Sequence, residues 1–133
     1  MATAVKKILV VDDEQDQLVY LTTYLTDQGF IVETAENGDQ ALAKVKAGRP
    51  DLITLDVVMP EKTGVKFYRD LKENPAFADI PVIFITGLKP DFEKFISSRK
   101  QVPPPDGYIS KPFEREELLK LVNQTIGKKA KTA

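Results

Sequence analysis

The chain has no cysteine and no histidine in its 133 residues. The first absence excludes disulfides, thiolate zinc sites and thiol nucleophiles. The second removes imidazole as a metal ligand or general base. No apolar run approaches the roughly 18 residues of a membrane-spanning helix, so membrane insertion is not expected. Neither sign of charge dominates: 19 basic and 20 acidic side chains leave a formal net charge of -1. That balance supplies no general electrostatic attraction to nucleic acid or to anionic lipid. The start, MATAVKKILVVDD, carries no signal-peptide cleavage pattern, and a cytoplasmic location is the expectation. What is present is 42% hydrophobic and 29% charged residues. This composition and length suit one soluble domain with one core.

Strand-like and helix-like patterns alternate along the chain. Strands are predicted at Lys7–Val11, Phe30–Thr34, Asp51–Leu55, Ile80–Ile85 and Gly107–Ile109. Three of them are rich in Ile, Leu and Val, as expected of parallel strands covered on both faces. FIVET is mixed and GYI is short, so both read as edge strands. Leu18, Leu21 and Leu25 mark a first helix, which Gly29 stops. Ala41, Leu42 and Val45 line a second, ended by Gly48 and Pro50, with Asn37 and Asp39 both candidates for its N-cap. Val65, Tyr68 and Leu71 mark a third, terminated by Pro75. Phe92, Phe95 and Ile96 mark a fourth. Leu118, Leu119, Val122 and Ile126 form the stripe of a fifth, expected to stop at Gly127. The three prolines of RKQVPPPDGY favour a stiff extended loop before the last strand. Right-handed crossovers between such units give an α/β fold: a doubly wound, five-stranded parallel sheet with helices on both faces. In the flavodoxin-like order 2-1-3-4-5 the first and third strands are neighbours, and ligands bind at that switch point.

Under this order five polar side chains converge on one edge of the sheet. Asp12 and Asp13 follow the first strand, Asp56 ends the third, Thr86 follows the fourth and Lys111 the fifth. Taken singly, each has an ordinary role: a turn or cap acid, a loop carboxylate, a turn hydroxyl, a surface lysine. Their coincidence at the ends of four different strands is what points to a site. Packed carboxylates repel, and a hard divalent cation such as Mg²⁺ relieves that repulsion. Asp13 and Asp56 are candidate direct ligands, with Asp12 acting through water and the Val58 backbone carbonyl offering a further oxygen. The Asp56 carboxylate is placed to attack a phosphoryl group as nucleophile. Lys111 would neutralise charge on the transferring oxygens, and Thr86 would donate a hydrogen bond to one of them.

The segments ILVVDDE, RPDLITLDVVMPEKTG, IPVIFITG and GYISKPF together resemble the receiver domain of bacterial two-component response regulators, in the stand-alone, chemotaxis-regulator-like form. The resemblance implies a receiver domain over residues 1–127, a short flexible tail at 128–133 and no output domain. It implies that Asp56 is the phospho-acceptor and that Asp12, Asp13, Asp56 and the Val58 carbonyl hold Mg²⁺. It makes Thr86 and Tyr108 the switch pair, Lys111 the salt-bridging lysine, and the Lys111–Pro112 bond cis. The partners implied are a sensor histidine kinase or phosphotransfer protein and an effector met in trans, with no direct nucleic-acid contact. The output face would lie around the fourth helix, fifth strand and fifth helix, and homodimerisation through it is left open. Such a protein is not an enzyme in the turnover sense, although it takes part chemically in its own phosphorylation and dephosphorylation. The QVPPPDG stretch departs from the usual turn before the last strand, which bears on partner choice.

Three other readings compete. A receiver-fold module that binds partners without accepting phosphate would lack an acid or the lysine, and none is missing. A phosphatase of the haloacid-dehalogenase type would carry Asp-x-Asp after the first strand, where this chain has Asp12-Asp13. A flavin binder would need a Ser/Thr/Gly-rich loop in place of DDEQDQ, which repels phosphate unless a metal is bound.

Overall fold

The computed structural model describes residues 6–56, 63–86, 106–110 and 113–132, excepting the side chains of 63–65, 86, 110 and 127–132. The elements are β1 (Lys7–Val11), α1 (Gln15–Asp27), β2 (Ile31–Ala35), α2 (Gly38–Ala47), β3 (Leu52–Asp56), α3 (Thr63–Glu73), β4 (Val82–Thr86), β5 (Gly107–Ser110) and α4 (Arg115–Thr132). The strands form one parallel sheet in the order β2-β1-β3-β4-β5. This is the expected flavodoxin-like topology, with FIVET and GYI at its two edges.

The sheet separates two apolar layers because successive residues of a strand point to opposite faces. On one face Leu9, Val11, Ile53, Leu55, Val82 and Phe84 pack against α2 and α3. On the other, Ile8, Val10, Leu52, Ile83 and Ile85 pack against α1 and α4. All five residues of β3 are buried, as its central position requires. At the β2 edge Ile31 remains 52% exposed. Each fully buried aliphatic side chain contributes about 1.5–3 kcal/mol of transfer free energy. That burial, rather than helix propensity, holds the short elements in place.

Local signals set the helix ends. Gly29 takes φ 99, a left-handed conformation that other residues adopt at a cost, and the N–H of Phe30 returns to the Leu25 carbonyl. The two candidate caps of α2 are separated by geometry. Asn37 Oδ1 accepts from the Gln40 N–H at 2.8 Å, and the Gln40 side chain accepts in turn from the Glu36 N–H at 2.9 Å. Asp39 lies in the first helical turn, where its charge complements the dipole. Asn37→Ala is therefore expected to lower stability by about 1 kcal/mol in urea denaturation, with an unchanged m-value, while Asp39→Ala costs less.

The bounds of four strands, β2, β3, β4 and β5, differ from expectation by one or two residues, and one helix end differs by more. The last helix does not stop at Gly127 but continues to Thr132. A glycine ends a helix when the chain needs a left-handed turn there, as at Gly29; otherwise it costs about 1 kcal/mol in place. The residues that follow, Lys128, Lys129, Ala130 and Lys131, are of types with high helix propensity. The predicted helix around Phe92, Phe95 and Ile96, the Pro103–Pro105 loop and the Lys111–Pro112 bond lie outside the described residues.

Candidate functional site

Strand register builds the site. Val11 pairs with Leu55, so Asp12 leaves β1 beside Asp56, the last residue of β3. Asp56 pairs with Ile85, and Thr86 ends β4 paired with Ser110, the last residue of β5. The carboxyl ends of these strands therefore share one edge, at the switch point where chain order reverses between β1 and β3.

Asp12 is held by its own backbone, whose N–H donates to the Ala35 carbonyl at 3.0 Å. Its Oδ1 accepts from the Glu14 N–H at 2.9 Å, turning the chain from β1 into α1. Asp12 and Asp56 are each 1% exposed, while Asp13 faces solvent. One carboxylate oxygen from each of the three lies within 4.8 Å of the others. An all-oxygen, all-anionic set of this size fits a hard cation, and the exposed Asp13 leaves a route from solvent.

Of the residues expected at the site, the structure brings together Asp12, Asp13 and Asp56. Thr86 is placed by its backbone at the same edge. Val58, Lys111 and the side chain of Thr86 lie outside the described residues. Tyr108 is half-buried on the α3 face of the sheet, its ring edge-on to Phe84 with centroids 5.8 Å apart.

Two contacts away from the carboxylate edge, which support the strands and the switch aromatic, were not legible in the sequence. Asp106 reads as an ordinary loop acid. Its carboxylate accepts from the Val82 N–H at 2.9 Å, and its own N–H donates to the Val82 carbonyl at 2.9 Å, fixing the start of β5 against β4. The Asp-Gly pair before the strand was the available signal. Tyr68 reads as one residue of a helical stripe, yet it packs edge-on against Phe84 at 4.7 Å and so joins the group around Tyr108.

A doubly wound sheet with clustered carboxylates at its switch point is an arrangement suited to a hard cation. Comparison with known proteins is specific: residues 8–123 match the family described as response regulator receiver domain, and the chain belongs to it. It is 33% identical over 121 residues to the chemotaxis protein CheY of Bacillus subtilis, covering 90% of this chain and 97% of that protein. It is 34% identical over 113 residues to the alkaline phosphatase synthesis transcriptional regulatory protein PhoP of Bacillus subtilis, covering 85% of this chain but 45% of the relative. The chain thus spans about half of that relative and nearly all of the other. The structure of chemotaxis response regulator CheY4 of Vibrio cholerae superposes with a TM-score of 0.80 at 31% identity, covering 92% of this chain and 99% of that one. Family membership and the acidic cluster together fit a phospho-accepting switch. Among the described residues no helix is long and apolar enough to cross a membrane.

Proposed function

We propose that Asp56 accepts a phosphoryl group from a sensor histidine kinase or phosphotransfer protein, and that the modified form is read by an effector protein. The observation that carries this reading is the meeting of three carboxylate oxygens within 4.8 Å at the switch-point edge. In the reaction a carboxylate oxygen of Asp56 forms the new P–O bond while the bond from phosphorus to the donor breaks, its electron pair leaving with the donor. Asp13, Asp56 and the Val58 carbonyl would hold Mg²⁺, with Asp12 acting through water; the ion supplies neutralisation of charge on the phosphoryl oxygens.

The chain's own groups do the rest. Burial of Asp56 excludes competing water and fixes the carboxylate at the end of a rigid strand. Lys111, one residue beyond Ser110, is assigned the ion pair with the phosphoryl group, and Thr86 a hydrogen bond to it. Those two contacts draw together the loops after β4 and β5, with Tyr108 reporting the change at the β5 edge. We assign the receiving face to β5, α4 and the segment between β4 and β5, and the protein to the cytoplasm. Recognition there is by protein contacts, since the near-zero net charge favours no polyanion.

Incubation with Mg²⁺ and acetyl phosphate, read by intact mass, tests the reading. One phosphoryl adduct is expected, and at least about tenfold less when EDTA removes the divalent ion. No adduct, or an adduct indifferent to EDTA, refutes it.

A further inference from the structure

The aromatic side chains Tyr68, Phe84 and Tyr108 form a continuous edge-to-face series across three elements. Tyr68 of α3 meets Phe84 of β4 at 4.7 Å and an interplanar angle of 78°. Phe84 meets Tyr108 of β5 at 5.8 Å and 88°. Phe84 and Tyr108 are register partners, so both rings stand on the α3 face of the sheet. Tyr68 and Phe84 are fully buried, whereas Tyr108 is half-buried at the end of the series.

Tyr68 is itself fixed from behind. The Lys72 ammonium stands 5.6 Å from its ring centroid and donates to the carbonyls of Ala78 at 3.0 Å and Ile80 at 2.9 Å, tying α3 to the segment entering β4. Burial raises the Tyr68 phenol pKa above the ordinary tyrosine value, and the Asp106 carboxylate and Tyr108 phenol push it further the same way. The Tyr68 hydroxyl therefore stays protonated. The Tyr68 ring is thus fully buried and contacted by both the Lys72 ammonium and the Phe84 ring.

We propose that Tyr68 is a positioning residue for the switch aromatic: through Phe84 its ring sets the resting place of Tyr108 and keeps that side chain half-buried until phosphorylation. The inference rests on the reading of Tyr108 as the switch position. Edge-to-face packing favours one mutual orientation of neighbouring rings, so Phe84 pressed by Tyr68 presents a defined edge to Tyr108. Without the Tyr68 ring, Phe84 relaxes toward α3 and room opens on the inner side of Tyr108. The inward state then becomes populated in the unmodified protein.

The test uses the full chain with ring-fluorinated tyrosine at its 4 tyrosines, the Tyr108 resonance being assigned by its loss in Tyr108→Phe. In the parent protein, beryllofluoride with Mg²⁺ is expected to shift that resonance. In Tyr68→Leu the unmodified resonance is expected at least halfway toward the beryllofluoride position, with both proteins converging once beryllofluoride is bound. Phosphorylation from acetyl phosphate should accelerate about five-fold in the same variant, because the competent state is more populated. Tyr68→Phe, which keeps the ring, should match the parent in both readouts. Loss of packing alone would lower stability without raising the phosphorylation rate. If Tyr68→Leu does not fold, Tyr68→Met, which fills the space with a flexible chain, decides in its place. A ring-deleted variant with parental resonance and rate, while the parent still responds to beryllofluoride, overturns the inference alone. A parent resonance unmoved by beryllofluoride overturns the switch reading of Tyr108 itself.

Discussion

Asp56→Asn is expected to abolish the phosphoryl adduct formed with Mg²⁺ and acetyl phosphate, a loss of at least about a hundred-fold in intact-mass signal. Asparagine is close to isosteric but lacks the anionic oxygen that forms the P–O bond. The same substitution should stabilise the metal-free protein. Asp12 and Asp56 are both 1% exposed, with carboxylate oxygens within 4.8 Å. At an effective dielectric near 20, two such charges repel by about 3 kcal/mol. Hydrogen bonds such as that from the Glu14 N–H to Asp12 offset part of this. A net gain of about 1–2 kcal/mol is expected, seen as a rise of about 3–10 °C in melting temperature in EDTA. Added Mg²⁺ should then stabilise the parent protein more than the variant, since binding to the folded state alone raises stability by mass action. A full-size adduct in the variant would place the acceptor elsewhere. A variant less stable than the parent in EDTA would show that the clustered charges are not in conflict.

Phe84→Ala should cause the largest loss of stability, about 3–5 kcal/mol. Phe84 is fully buried in the central region of the sheet, with a ring from α3 on one side and one from β5 on the other. Truncation removes the transfer free energy of the ring, leaves a cavity, and deprives Tyr68 and Tyr108 of their common neighbour. Tyr68 is held at Lys72, and inward rotation of the Tyr108 ring from its paired backbone fills only part of the space. The midpoint of urea denaturation should fall with little change in m-value. Phe84→Leu, which keeps more of the volume, should cost less than half as much. Equal effects of the two substitutions would mean that the ring itself contributes little.

Much of the architecture was readable from pattern. Lys7–Val11, Leu52–Asp56 and Val82–Thr86 are near-continuous apolar runs because parallel strands buried on both faces have no solvent side to write into the sequence. FIVET breaks that rule because β2 lies at the edge, where Ile31 reaches solvent. Boundaries were less legible. Asn37 and Asp39 are equivalent as residue types, and only the hydrogen bond from the Gln40 N–H distinguishes cap from first turn. Gly127 has the same identity as Gly29 but not the same backbone role. A residue's conformational freedom says where a helix is able to end, and the neighbouring residues say whether it does.

The site divides in the same way. The one-dimensional order of residues determined that acids stand at the ends of the first and third strands, because strand ends are local features that apolar runs and turn residues delimit. It did not determine distance. That Asp56 comes to lie within reach of the neighbouring Asp12 and Asp13 follows from pairing β1 with β3, although α1, β2 and α2 intervene in the chain. Likewise, a tyrosine on α3, a phenylalanine on β4 and a tyrosine on β5 carry no mark of their contact in the sequence. Their edge-to-face contacts exist because parallel register aligns Phe84 with Tyr108, and packing of α3 on that face brings Tyr68 against Phe84. Local chemistry is written residue by residue, whereas proximity between distant residues is a property of the closed sheet alone.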